Sequence, residues 1–171
     1  MVPVSSWVSW VGLVGAVPNT RGIDVVAGVT GSAVSAFLTT LLVGAILVAL
    51  APAYTQRQMD AVREDVVGSF LFGFAALVAV ILVAFLLAIT IVGILVAIPF
   101  VVLAILVWAV GAAIAYLAIA ERLVDTDEGW VLALVVAATI NGGLTLTGVG
   151  GIVAFAVGAT GFGAVLRDWL E

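Results

Sequence analysis

VVGSFLFGFAALVAVILVAFLLAITIVGILVAIPFVVLAILVWAVGAAIAYLAIA, residues 66–120, runs for 55 positions without one charged side chain. As a single helix rising 1.5 Å per residue it would reach about 80 Å, against a bilayer hydrocarbon core of about 30 Å. The stretch must therefore fold back. The break with the best local chemistry is Thr90-Ile91-Val92-Gly93, where β-branched residues that lower helix propensity meet a glycine that closes a turn. This predicts an antiparallel hairpin of residues 66–90 against 94–120. Pro99 falls in the first turns of the second arm, where it can kink the helix, with neighbouring groups meeting the freed carbonyl. Trp108 and Tyr116 lie on that arm, Tyr116 near the boundary where aromatic belts form.

Outward from this hairpin, charge is confined to short interruptions. They are PNTRGID (18–24), PAYTQRQMDAVRED (52–65), ERLVDTDEG (121–129) and the terminal RDWLE. Residues 25–50 lie between the first two, carry no charge and are long enough to span. Gly28, Ser32 and Ala36 recur there every fourth residue, a ridge that lets another helix approach closely. Residues 130–166 form a second uncharged block, but its arms are short. Residues 130–140 give only about 16 Å of helix, and Asn141-Gly142-Gly143 reads as a polar, flexible join. The expected segments are 130–141 and 148–166, a shallow hairpin whose tip stops short of the far side and needs surrounding helices or a wet cavity. A weak echo links the two hairpins: residues 89–93 resemble 144–148, with Phe100 opposite Phe155 and Val102 opposite Val157 at the same offset of 55.

The whole chain has 171 residues, 65% hydrophobic and 9% charged. A water-soluble domain carries about 25% charged residues, so lipid must be the solvent for much of this surface. The fold class is all-α: a polytopic membrane bundle of about five embedded segments, including two antiparallel hairpins. Residues 1–24 form a separate N-terminal interfacial segment. Within it, residues 3–17 place Trp7 and Trp10 three apart, as one face of an interfacial helix does, until Pro18-Asn19 ends it. A frayed apolar terminus fits as well. The segment lacks the basic n-region of a signal peptide.

Inventory excludes most enzyme chemistry. With no Cys, His or Lys there is no thiolate or imidazole ligand, no Ser-His or Cys-His pair and no Schiff base. No cofactor is expected. Net charge is −5, which argues against nucleic acid as a partner. Asp60 and Glu64 share a helix face at i,i+4 and with Asp65 offer oxygens to a divalent cation; a solvated acidic segment is the plainer reading. Asp125, Asp127 and Glu128 lack the length and closing acid of a calcium loop. The GVGG stretch follows no strand and has no Lys nearby, so it is packing glycine rather than a nucleotide loop.

Five arginines carry all the positive charge. If both uncharged blocks are hairpins, Arg57, Arg63, Arg122 and Arg167 share one face and only Arg21 lies on the other. The positive-inside rule makes the four-arginine face cytoplasmic, and places the N-terminus outside. The acid-rich, lysine-free composition suits a salt-adapted source.

The stretches LLAITIVGILVAIPFVVLAILVWAVGAAIAYLAIAERL, INGGLTLTGVGGIVAF and GFGAVL resemble a polytopic membrane module that accompanies bactofilin-like, polymer-forming cytoskeletal segments, in a haloarchaeal version. Ile89, Thr90, Gly93 and Pro99 and the later glycine-rich hairpin carry the likeness, over residues 66–166. It implies a membrane scaffold or anchor whose partners are membrane lipids, further copies of itself, or a separate membrane or cytoskeletal protein. No polymerising segment is present in this chain, and the resemblance lends no catalytic residue. The expected partner surface is the loop bearing Arg57, Asp60, Arg63, Glu64 and Asp65. The alternative is an oligomeric channel or passive pore lined by Thr90, Thr139, Asn141, Thr145 and Thr147. Those threonines serve equally as donors to the preceding turn of their own helix, with Asn141 capping a helix end.

Overall fold

The computed structural model describes residues 20–124, 129–147 and 149–170. The expectation for residues 3–17 lies outside them. Six helices and no strand occur among the described residues: α1 (Thr20–Leu50), α2 (Pro52–Glu64), α3 (Val66–Ala88), α4 (Ile91–Ala120), α5 (Trp130–Thr145) and α6 (Gly150–Leu170). Four of them, α1, α3, α4 and α6, are long and apolar enough to cross a membrane. At 16 residues, α5 measures about 24 Å and falls short of the core thickness.

The first hairpin turns where its chemistry required. Thr90 adopts extended backbone, φ −109° and ψ 143°, and its hydroxyl accepts the Gly93 N–H at 2.9 Å, an N-cap on α4. Through Pro99, α4 continues without a break. Three boundaries differ from expectation. At its start α1 takes in residues 20–24, which belonged to the predicted interfacial segment. Residues 52–64 are a helix rather than a loop. And α5 passes straight through Asn141-Gly142-Gly143, so the second turn falls at 146–149.

That shift resets the internal repeat. The two turn sequences align at an offset of 57 rather than 55: LAITIVG (87–93) matches LTLTGVG (144–150). In each, the threonine N–H and hydroxyl both donate to the leucine carbonyl three residues back, for Thr90 to Leu87 at 3.2 and 3.3 Å and for Thr147 to Leu144 at 3.1 and 3.0 Å. In each, a Cβ on the glycine three residues on, Gly93 or Gly150, would collide with that same carbonyl. With no side chain there, the leucine C=O tucks against the start of the next helix. The shared pattern is Leu-x-Ile/Leu-Thr-x-Val-Gly, a turn that meets the leucine carbonyl from within its own segment.

The arms of the hairpins are not each other's closest neighbours. The second arm of the later hairpin, α6, packs most closely on α3 and α4, while α5 packs most closely on α1. Glycine explains why α6 is central. A Cβ at Gly73 would overlap the Ala159 carbonyl, one at Gly163 the Ser69 carbonyl, and one at Gly161 the Gly111 carbonyl. Backbone therefore rests on backbone along both sides of α6. Gly158 receives the Trp108 indole, whose centroid is 5.7 Å from both Phe155 and Phe162.

On α1 the packing ridge is Ala33, Phe37, Thr40 and Gly44, not Gly28–Ser32–Ala36. Gly142 faces the Ala33 carbonyl and Phe37, and Gly44 faces Leu134, whereas Gly28 and Gly31 meet nothing within 4 Å. Tyr116 departs from its expected place too. It is 1% exposed, within a core of Met59, Ile114, Leu117, Ala133, Ala137 and Val165 rather than at a boundary. The far halves of α3 and α4 present Ile81, Phe85, Leu95 and Ile98 outward, an apolar exterior that lipid covers.

Replacing Gly161 by Leu is expected to destabilise the bundle by about 3 kcal/mol or more, since backbone must move to admit the side chain. Gly31→Leu, on an open face, should change little. Thermal unfolding in detergent, followed by tryptophan fluorescence, checks the pair.

Candidate functional site

The polar residues converge at one end of the bundle, and α2 brings them together. Pro52 sits in its first turn, where a missing N–H costs nothing. Thr55, Gln58, Met59 and Val62 are buried at i, i+3, i+4 and i+7, one stripe of a 3.6-residue helix. Gln56, Arg57, Asp60 and Glu64 face out. The helix thus closes the end of the bundle with its apolar stripe and shows water a mixed-charge face.

Four ion pairs pin it and its neighbours. Arg63 donates from Nε and Nη2 to the Ala118 carbonyl at 3.4 and 3.2 Å and pairs with Glu121. Its guanidinium therefore sits on the last carbonyls of α4, where the helix dipole favours a cation. Asp60 is 3.8 Å from Arg63, a weak third member. Arg57 pairs with Asp168 at 3.0 Å and lies 5.7 Å from the centre of the Tyr54 ring. Arg167 pairs with Asp65 at 3.2 Å, and the other Asp65 oxygen caps α3 by accepting the Gly68 N–H at 2.8 Å. The ends of α2, α4 and α6 and the start of α3 thus share one layer. Arg57, Arg63 and Arg167 lie in it, Arg122 directly follows the α4 end, and Arg21 is at the opposite end of α1, about 43 Å along the helix.

Of the five residues expected to form a partner surface, Arg57, Asp60, Glu64 and Asp65 are exposed, Arg57 and Asp65 while ion-paired, and Arg63 alone is half-buried in the ion-pair layer. Among the described residues no group of three or more carboxylates is placed to hold a metal ion. Asp125, Asp127 and Glu128 lie outside the described residues.

The five candidate pore residues all have hydrogen-bond partners within the protein. Thr139 donates to Val135 at 2.7 Å and Thr145 to Gly142 at 2.7 Å, each within its own helix. Thr90 and Thr147 occupy the two far-end turns. Asn141 is inside α5 rather than at its end, and its Nδ2 donates across to Thr40 Oγ1 at 2.7 Å and to the Ala36 carbonyl at 3.4 Å. Its role is to join α5 to α1.

Sequence reasoning set the segments carrying Gln58, Glu121 and Asp168 at this end but did not single out those residues or Ser69. Gln58 was visible in the i, i+3, i+4, i+7 spacing behind Pro52. The other three depend on which helix ends meet. Arg57, Gln58, Glu64, Asp65, Ser69 and Arg167 line a recess of about 270 Å³. Beside it, Tyr54 has its pKa raised above the ordinary 10.0, first by burial and then by the Asp168 charge, against the opposing hydrogen bond from Trp169 and the Arg57 charge.

This arrangement defines the class: an all-helical protein of the multi-pass membrane type, with one polar end tied by ion pairs. The chain matches over residues 1–171 the family described as a domain of unknown function, DUF8173, and belongs to it. No curated protein and no solved structure matches.

Truncating Arg63 to Ala is expected to cost about 2 kcal/mol, because Glu121 and the Ala118 carbonyl lose their partner in a half-buried site. Arg57→Ala, at a pair whose arginine is 66% exposed, should cost under about 1 kcal/mol. Chemical denaturation of the two variants checks the order. In a Tyr116→Phe background, spectrophotometric titration should show Tyr54 ionising above pH 10. The sign follows from a raised folded pKa: the stability tied to neutral Tyr54 is whole below its unfolded value and is lost as pH rises through the folded one.

Proposed function

We propose that the protein is a non-enzymatic membrane scaffold or anchor that self-associates or holds a partner at the cytoplasmic face. The observation that supports it best is α2. Its apolar stripe and the surrounding ion pairs hold it across the end of the bundle, leaving Gln56, Arg57, Asp60 and Glu64 outward on a rigid surface. Rigid presentation lowers the ordering cost of docking a partner. On the likeness in residues 66–166, a polymer-forming cytoskeletal protein is the class of partner to seek, and a salt-adapted, haloarchaeal source fits the lysine-free composition. An oligomeric pore has weaker support, since the hydroxyls it needs already donate to carbonyls of their own helices and backbone contact fills the flanks of α6.

The cytoplasmic assignment follows from the four arginines at the polar end. The chain has no cysteine, so single cysteines introduced at Gln56 and at Thr90 test it. An impermeant maleimide on intact cells should label the Thr90 site and reach the Gln56 site only after permeabilisation; the reverse pattern overturns the orientation. For the function, native mass spectrometry of the gently extracted protein should find a stoichiometric second protein or a higher copy number. Gln56→Arg with Asp60→Arg should release that second protein without unfolding the bundle. Solute flux in liposomes that Asn141→Leu abolishes would replace the scaffold reading by the pore.

A further inference from the structure

The recess at the polar end contains an acceptor that the protein leaves unmet. Gln58 is 1% exposed and its Oε1 has no hydrogen-bond partner, and the residue lines a space of about 270 Å³. A buried amide oxygen without a donor is costly, so the wall asks for an N–H or O–H from outside the chain. Ser69, 2% exposed, borders the same space and adds a hydroxyl.

Charge narrows the ligand. Glu64, Asp65 and Asp168 face Arg57 and Arg167 around the recess, three carboxylates against two guanidinium groups. The arginines are already engaged with Asp168 and Asp65, so an anion would have to break those pairs. Glu64 has no ion pair among the described residues. What is short is one positive charge carrying several donors. A bare metal ion is disfavoured, because no group of three carboxylates is gathered to hold one among the described residues. An ammonium group supplies three donors from a compact centre, and Gln58, Ser69 and Glu64 all line the recess. The chain contains no lysine to supply it.

We infer that this recess binds a primary ammonium group, through the Gln58 amide oxygen and the Glu64 carboxylate. It is lined by α2, the start of α3 and the last turn of α6, at the charged end of the apolar spans, the level a headgroup layer takes around an embedded bundle. The amine is therefore either the ethanolamine headgroup of a membrane lipid or a free small amine. The site does not depend on the scaffold reading.

The test uses the full-length protein in nanodiscs of phosphatidylglycerol, with thermal unfolding as the readout. Free ethanolamine at ten times its dissociation constant should raise the midpoint by about 3–6 °C. A rise seen only when phosphatidylethanolamine is built into the disc assigns the site to the lipid headgroup. Choline and phosphatidylcholine, which have no ammonium N–H, should leave the midpoint unchanged. Gln58→Met removes the unmet oxygen at nearly constant volume and should fold normally yet lose the response. If that variant fails to fold, Glu64→Gln, on the exposed side, should weaken the response several-fold. No shift with either amine, an equal shift with choline, or an undiminished shift in the variants overturns the proposal. Water filling the recess would give the first of these results.

Discussion

Backbone contact along α6 is the constraint from which the rest of the architecture follows. Lipid tails are as apolar as leucine, so helices in a bilayer gain nothing by hiding hydrophobic side chains from them and must associate by close packing instead. Gly163 meets the Ser69 carbonyl on α3, and Gly161 meets the Gly111 carbonyl on α4. With α6 wedged between the two arms of the first hairpin, α5 cannot share those faces and lies instead on α1, where its Gly142 and Asn141 meet Ala33 and Thr40. The end-layer ion pairs then come into register, because α6 brings Arg167 and Asp168 to the level of Asp65 and Arg57.

The duplicated turn gives this wedge its length. Both Leu-x-Ile/Leu-Thr-x-Val-Gly turns end a helix by folding a leucine carbonyl of its last turn against a glycine, and the threonine of the same turn donates to that carbonyl. In the first copy the turn follows the 23 residues of α3; in the second it follows the 16 of α5. The same device thus yields one full-depth hairpin and one shallow one. The arms of the second copy are unequal, 16 residues in α5 against 21 in α6, and of the two only α6 is long and apolar enough to cross a membrane.

The hairpin fold of residues 66–120 was legible because charge, length and turn chemistry agreed on one break. The second hairpin was misjudged at its turn, since Asn141-Gly142-Gly143 has the composition of a loop. In contact with α1 those same residues serve a helix: the glycine admits the Ala33 backbone and the amide finds Thr40. The polar segment 52–65 was correctly set at a boundary, but charge drew attention away from the stripe Thr55, Gln58, Met59 and Val62 that makes it a helix. The Gly28–Ser32–Ala36 ridge failed for a related reason. Small residues permit close approach at any of several faces, and only the partner decides which is used.

Arginine placement shows how few polar residues such a chain needs when each acts twice. Arg63 meets the end of α4 and neutralises Glu121. Asp65 caps α3 with one oxygen and holds Arg167 with the other. Arg57 bonds Asp168 and covers the Tyr54 ring. With so little charge, pairing it at the end layer leaves the spans free of intramembrane ions, which mark pumped pathways elsewhere. The same economy makes an unmatched group conspicuous. Where almost every other buried polar side-chain atom in the described residues has its partner, the open oxygen of Gln58 beside an unpaired Glu64 is a feature to be explained by something that comes to it.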